Sequence, residues 1–299
     1  MIFHSHGELP QTFAVVGYGR VGKVLTRSLT QLGWHLVGLV DPVSTPFEYL
    51  PFIPPEKIPS QTDLILLTVP DSAIPDAVAL VLHSPLEPNG TLVLHTAGAY
   101  GCDILTPLAE RGFATLAFHP YQTITGTEVV TAFKDVTFGI DGTPTALYFG
   151  EQLARLLGGH PLTVLPEHRQ LYHLSAVFSS NFLIGSVRIS VDLLSRCGLP
   201  QQQCVKTLLP LIRHTVSNIE GLDLAKALTG PVARGDTATI VSHLHALDSD
   251  PDRREIYRLL SLELLNLSNC EQLDSKLSRL LTGHTGETPP ALISDNNSE

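Results

Sequence analysis

The chain has 299 residues, enough for two domains that each bury a core. Charged residues make up 16% and apolar ones 43%, which excludes a disordered chain, and the formal net charge of −10 argues against nonspecific nucleic-acid binding because no basic patch offsets it. Four scattered cysteines (Cys102, Cys197, Cys204 and Cys270) form no C-x-x-C metal pair and are expected as reduced thiols of a cytoplasmic protein.

The first twelve residues hold two histidines and no apolar core of a signal peptide. No uncharged apolar run reaches about 18 residues, so a membrane span is excluded on this reading and no membrane partner is expected. The first element is a buried strand from Phe13 into a glycine turn, Gly17-Tyr18-Gly19-Arg20-Val21-Gly22, with the G-x-G-x-x-G spacing. Gly17 permits the tight turn, Gly19 clears the approach of a pyrophosphate to the backbone, and Gly22 allows close helix packing. A helix over residues 21–32 then offers free N–H groups to the anion. The six residues of the turn are therefore candidate cofactor contacts.

Residues 34–40 read as the second strand, ending at Asp41, where an acid meets the adenosine ribose. A carboxylate there repels a 2′-phosphate, and no Arg follows within the next ten residues. The cofactor expected is NAD, with NADP possible; the alternative is a surface Asp ending a strand. Pro42, Pro46, Pro51, Pro54, Pro55 and Pro59 make the next segment an irregular connection. The strand at residues 63–71 ends in Thr68, Val69, Pro70 and Asp71. Ligands of open parallel sheets bind outside the carboxyl ends of strands, so Val69, Pro70 and Asp71 join the cofactor set. The strand at 91–95 ends in Thr96-Ala97-Gly98-Ala99, a tip expected near the nicotinamide. Another at 112–118 stops at His119-Pro120. Strands at 137–141 and 161–165 flank a helix at 145–157. This alternation predicts an α/β, doubly wound Rossmann-type domain over residues 10–165.

From residue 166 the periods are helical only: a long helix at 168–195, another at 201–219 with Val205, Leu208, Leu209, Ile212, Val216 and Ile219 on one face and a kink at Pro210, then 222–228, 237–247 and 251–270. The second domain is thus all-α, over 166–282, with a polar tail at 283–299.

Three constellations can carry chemistry. His119 can hold a substrate oxygen or shuttle a proton, or simply bond a loop carbonyl. On the long helix, His173, Ala176 and Ser180 share a face with Asn181 adjacent, a polar stripe that suits either a cleft or a helix–helix contact. In Leu228-Thr-Gly-Pro-Val-Ala-Arg-Gly-Asp-Thr-Ala-Thr239, Arg234 can clamp an anion and Asp236 or Thr237 can cap a helix.

With these residues in place the chain resembles two-domain oxidoreductases of the 6-phosphogluconate-dehydrogenase C-terminal-like superfamily. It looks most like a branch of NAD(P)-dependent oxidoreductases with the signature A-L-T-G-P-x-x-R-G-D-x-x-T-x-x-x-H-L, here Ala227 to Leu244. Prephenate dehydrogenases carry a similar H-P and helix His, matching His119-Pro120 and His173. Pyrroline-5-carboxylate reductases carry a Gly/Thr-rich turn that binds a carboxylate, similar to Thr229 through Thr239. Hydroxyacid dehydrogenases of this superfamily use a Lys four residues before the Asn, but that position is Val177, which puts His173 forward as the acid/base. The resemblance implies hydride transfer between a nicotinamide cofactor and a small, carboxylate-bearing metabolite. His173, His119, Asn181 and Arg234 are the catalytic candidates, no metal is expected, and a homodimer forms through the helical domain. The alternative is a dinucleotide-binding sensor or scaffold without turnover.

Overall fold

A computed structural model of the chain describes residues 11–41, 50–88, 90–126, 132–267 and 274–282. The expected tail 283–299, Cys270 and residues 42–49 of the Pro-rich connection lie outside them. Contacts divide the chain into two compact units, Met1–Leu183 and Ile184–Glu299.

The first unit is built on a seven-stranded sheet: β1 (Thr12–Val16), β2 (His35–Val40), β3 (Leu64–Leu67), β4 (Leu92–His95), β5 (Ala114–Pro120), β6 (Thr137–Gly142) and β7 (His160–Thr163). The order is β2-β1-β3-β4-β5-β6-β7, parallel except for the β5–β6 pair. Its helices are α1 (Arg20–Gln31), α2 (Ile74–His83), α3 (Thr106–Glu110), α4 (Pro144–Leu156) and α5 (Arg169–Ser179). The pleat sends Phe13 and Val15 to one face, where they meet Val24, Leu25 and Leu29 of α1 in a cluster that also takes Phe149 and Leu153 of α4. Ala14 and Val16 go to the other face, in a cluster with Val78 and Val81 of α2 and Leu108 of α3. A sheet covered on both faces needs strands apolar on both, which is why β1, β3 and β4 are near-continuous aliphatic runs. The fold is Rossmann-like and doubly wound, with an all-helical region after it.

Among the described residues, the Pro-rich connection places a remnant of a strand beside β2. Leu39 pairs with Phe52 in a single parallel bridge, accepting from Ile53 N and donating to Pro51 O. Pro51 and Pro54 flank this bridge and have no N–H to extend a ladder.

Two boundaries differ from expectation. β5 does not stop before His119: antiparallel β6 pairs Gly139 with His119 and Phe138 with Pro120, so the strand continues to Pro120. The single helix expected over 168–195 is two, α5 and α6 (Asn181–Arg196), interrupted at Ser180 with φ −121° and ψ −65°. Ser180 bonds the Ala176 carbonyl and the Asn181 side-chain oxygen; such Ser and Asn side chains compete with the helical ladder.

The stretch Pro166–Arg196 also corrects the expectation that nothing is long and apolar enough to span a membrane. An 18-residue window within it has mean hydropathy 1.3 and so meets that criterion by length and composition, and 6% of that window is buried. It nevertheless contains Ser180, Asn181 and His173, and its start is held to the sheet by Arg169.

In the second unit the remainder of α6 is followed by α7 (Gln201–Gly221), α8 (Leu224–Ala227), α9 (Pro231–Arg234), α10 (Thr237–Ala246), α11 (Pro251–Leu267) and α12 (Asp274–Thr282), the last not anticipated from the sequence. Its core is small: Val232, Ile240, Leu244, Leu265, Leu277 and Leu281. Arg253 pairs with Asp192 and Asp250, and Arg196 with Asp250, which ties α6 to α11. α7 continues through Pro210 and buries one residue, Cys204. The apolar stripe read from the sequence is there, but Val205, Leu209, Val216 and Ile219 are exposed.

Candidate functional site

The turn between β1 and α1 is held between the ends of two neighbouring strands. Gly17 N donates to Val40 O of β2, Thr68 N donates to Val16 O, and the Thr68 hydroxyl donates to the Gly17 carbonyl. Each glycine has a distinct geometric reason to be there. Gly17 has φ +90°, a conformation that favours glycine. A Cβ at Gly22 would lie 2.5 Å from the Gly17 carbonyl oxygen and 2.6 Å from Thr68 Oγ1, so this glycine serves helix–strand packing. A Cβ at Gly19 would meet only Thr68 O, at 3.9 Å, and would otherwise stand in open space. Gly19 is the N-cap of α1, no side chain caps the helix, and its first turn carries no acid. The donors and the space there fit a phosphate group.

Asp41, directly after β2, accepts the backbone N–H of Tyr18 at 2.5 Å, so the carboxylate sits against the glycine turn. Val69, Pro70 and Asp71 follow β3 on the same side, Asp71 opening a short 3₁₀ turn that leads into α2.

Because β1, β3, β4 and β5 are parallel, their carboxyl ends share one sheet edge. That edge carries the glycine turn, the Thr96–Gly98 tip and His119 in that order. α5 brings His173 to it. The His119 and His173 rings stand edge to face, with centroids 6.2 Å apart and planes at 80°. Gly98 lies against both: a Cβ there would be 2.8 Å from His119 Nε2 and 2.6 Å from His173 Cδ2. Gln170 Nε2 donates to the Ala99 carbonyl and so docks α5 on the same tip.

Burial, assisted by His173, Arg169 and His95, lowers the His119 pKa to about 3. The ring is neutral at any ordinary working pH, so of the two roles open to His119 the structure suits holding an oxygen rather than taking up a proton. Its Nδ1 lies 3.0 Å from the Tyr172 hydroxyl, and Tyr121 bonds Ser175 at 2.8 Å beside it. Beneath this layer, His95 is fully buried: Nδ1 accepts from Ala97 N at 3.2 Å and Nε2 donates to Gly101 O at 3.0 Å. Cys102 N donates to Asp141 Oδ2 at 2.7 Å, which anchors the loop after the tip.

His119 and His173 are therefore brought together on the first unit. Asn181 is exposed at the start of α6, directly after the interruption at Ser180, and its side-chain oxygen accepts from the Ser180 hydroxyl. Arg234 is exposed on α9 in the second unit. Asp236 caps α10 by accepting from Thr239 N at 3.1 Å and from the Thr239 hydroxyl. Gly98 falls in the tip expected near the nicotinamide, and Tyr172 stands next to His173 in sequence without a role of its own; Gly139 has none. A glycine inside a strand pattern, as at Gly139, is the available signal for a close approach.

Comparison with known proteins agrees with this architecture. Residues 9–120 match the Rossmann-like domain, and residues 136–264 match a domain of unknown function, DUF2520. A search of curated proteins gives no match. Among solved structures, a protein of Bacteroides fragilis provisionally assigned as an NADP oxidoreductase is 23% identical with a TM-score of 0.71, over 86% of this chain and 98% of that one. Plasmodium falciparum pyrroline carboxylate reductase with NADP bound is 12% identical, TM-score 0.59, over 88% and 100%. An imine reductase of Myxococcus stipitatus in complex with NADP+ is 13% identical, TM-score 0.56, over 87% and 93%. At these identities the likeness is one of fold.

Proposed function

We propose that this protein is an NAD(P)-dependent oxidoreductase of the 6-phosphogluconate-dehydrogenase C-terminal-like superfamily, acting on a small, carboxylate-bearing metabolite. The observation that carries the reading is the placement, on one sheet edge, of an open glycine turn and a histidine pair. They stand two to three strands apart, on the order of 10–15 Å at ordinary strand spacing. An extended dinucleotide would span such a distance, Gly19 and the α1 N-terminus being the residues that would hold its pyrophosphate and Gly98 the one facing its far end. The NAD(P)-binding proteins of the same fold support this reading.

The bound nicotinamide supplies or accepts the hydride. The chain's own part is to hold and polarise. Gly17–Gly22, Val69, Pro70, Asp71 and Thr96 form the cofactor wall, and Asp41 favours NAD over NADP by repelling a 2′-phosphate. Neutral His119 donates a hydrogen bond to the reacting heteroatom, and His173 exchanges the proton there. Asn181 and Arg234 are the candidates for orienting the substrate and for its anionic group. The exposed apolar stripe of α7 fits a homodimer formed through the helical region.

The test is a screen of small carboxylate-bearing carbonyl, imine and hydroxyl compounds for a change in nicotinamide absorbance. Turnover that His173→Asn abolishes while NADH still binds supports the reading. NADH binding with no turnover across the screen favours a sensor.

A further inference from the structure

Next to His173, α5 also sets Tyr172 against His119, and three features determine how these two interact. The Tyr172 hydroxyl is 3.0 Å from His119 Nδ1, with the rings perpendicular at 86° and centroids 5.6 Å apart. The phenol lies against Gly139, the residue opposite His119 in the β5–β6 ladder. A Cβ at Gly139 would fall on the Tyr172 hydroxyl and ring, so the position is open only because residue 139 has no side chain. Arg169, fully buried, donates from both Nη atoms to the Gly139 carbonyl at 3.3 and 3.4 Å and stands 5.7 Å from the Tyr172 ring centroid.

The direction of the Tyr172–His119 bond follows from counting hydrogens. The Tyr172 phenol oxygen carries one hydrogen, which needs an acceptor once the ring is packed against Gly139. That hydrogen has one acceptor within reach among the bonds of the described residues, His119 Nδ1. Burial raises the Tyr172 pKa, so the phenol keeps that hydrogen. An imidazole that accepts at Nδ1 carries its proton at Nε2, the atom that faces Gly98. The charged and titratable groups facing His119 are His173, His95 and Arg169, with Tyr121 6.5 Å away between ring centroids. No carboxylate is among them, so nothing draws a second proton onto the ring.

We propose that Tyr172 is a positioning residue that holds His119 as its Nε2–H tautomer and thereby makes it a hydrogen-bond donor at the Gly98 tip, with Gly139 and Arg169 fixing the phenol in place. The proposal deepens the oxidoreductase reading: the group that receives this bond is the heteroatom of a C=O or C=N bond undergoing reduction, because a neutral N–H donor serves a lone-pair acceptor and not a cation. The tautomer itself does not depend on that reading.

The test is two-dimensional nitrogen–proton spectroscopy of the imidazoles in the full-length protein labelled with nitrogen-15 histidine, with His119→Asn identifying the signals. Wild type is expected to show His119 as Nε2–H with Nδ1 unprotonated throughout the neutral range. Tyr172→Phe, which preserves the ring, removes the fixed tautomer and moves both nitrogens toward averaged shifts. Gly139→Ala, which displaces the phenol but keeps it, does the same in a protein whose fold is checked by circular dichroism. With a substrate in hand, Tyr172→Phe lowers kcat roughly tenfold or more without changing NADH affinity, as expected for loss of a hydrogen bond made to the reacting group. An Nδ1–H tautomer in wild type, or an unaltered His119 spectrum in Tyr172→Phe, overturns the proposal. Absence of NADH binding to wild type overturns the oxidoreductase reading and leaves the tautomer result intact.

Discussion

His119 and His173 stand edge to face over Gly98, their ring centroids 6.2 Å apart, one ring supplied by a strand end and the other by the first helix after the sheet. A methyl group at residue 98 would come within 2.8 Å of one and 2.6 Å of the other. Both contacts are with side chains that can swing away, so Gly98→Ala is expected to fold with near wild-type stability while separating the pair. Turnover should fall by about 100-fold or more, since misplacing a reacting group by an ångström costs that much. Steady-state kinetics beside a thermal melt check this, and an active, folded variant would show that the pair is not part of the site.

Gly22 offers the opposite case. Its absent Cβ would strike the Gly17 carbonyl and the Thr68 hydroxyl, and the first of these is backbone that cannot step aside. Gly22→Ala should destabilise the protein by about 1–3 kcal/mol, the usual cost of overpacking. Urea unfolding measures it, and an unchanged midpoint would mean that α1 is not packed as closely as the structure has it.

Asp41 combines a structural bond to Tyr18 N–H with a negative charge that, under the proposed cofactor placement, meets a ribose 2′-phosphate. Asp41→Ser is expected to shift the ratio of NADH to NADPH affinity at least tenfold toward NADPH, mostly by removing repulsion. Fluorescence titration with both cofactors decides the point, and an unaltered ratio would remove Asp41 from the cofactor site.

His95 gives a pH dependence of stability. Its pKa is lowered from 6.5 to about 4, chiefly by burial, partly opposed by its bond to the Gly101 carbonyl. Protonation would also set a second donor against the Ala97 N–H. The unfolded chain takes up the proton near pH 6.5 and the native state only near pH 4. Stability is therefore complete above the higher value and declines as pH falls through that interval, by about 2 kcal/mol at about pH 5. His119 adds a loss of the same sign. Urea midpoints at neutral and mildly acidic pH should show a shallower decline for His95→Asn than for wild type, and parallel declines would contradict the assignment.

The second unit exposes the apolar side chains that its longest helix would bury against a partner: Leu211 is 65% and Ile219 48% exposed. The chain is expected to sediment as a dimer, and Leu211→Asp combined with Ile219→Asp should give monomers. A wild-type monomer at micromolar concentration would contradict this.

Much of the fold could be read from the chain because its strands are aliphatic runs that end in glycine or proline, and the glycine fingerprint fixed the first turn. The β5 boundary could not, since a ladder partner twenty residues further on decides whether His119 and Pro120 stay extended. Nor could the break at Ser180, where periodicity on both sides suggested one helix. Of the site, the sequence supplied His119 and His173, which are chemically conspicuous. It offered Tyr172 only as the neighbour of His173, because the role proposed for the phenol depends on an absent side chain at Gly139 across the sheet. The shared face of His173 and Asn181 was read on an unbroken helix, which the structure interrupts at Ser180.

The account rests on a dinucleotide bound at Gly19, where the backbone allows alanine and the space beyond is open. Calorimetric titration of NADH into wild type and Gly19→Ala tests it most directly. The account predicts one saturable site per chain in wild type and at least a tenfold weaker one in a variant of unchanged melting temperature. No binding to wild type, or equal binding to both, would contradict it.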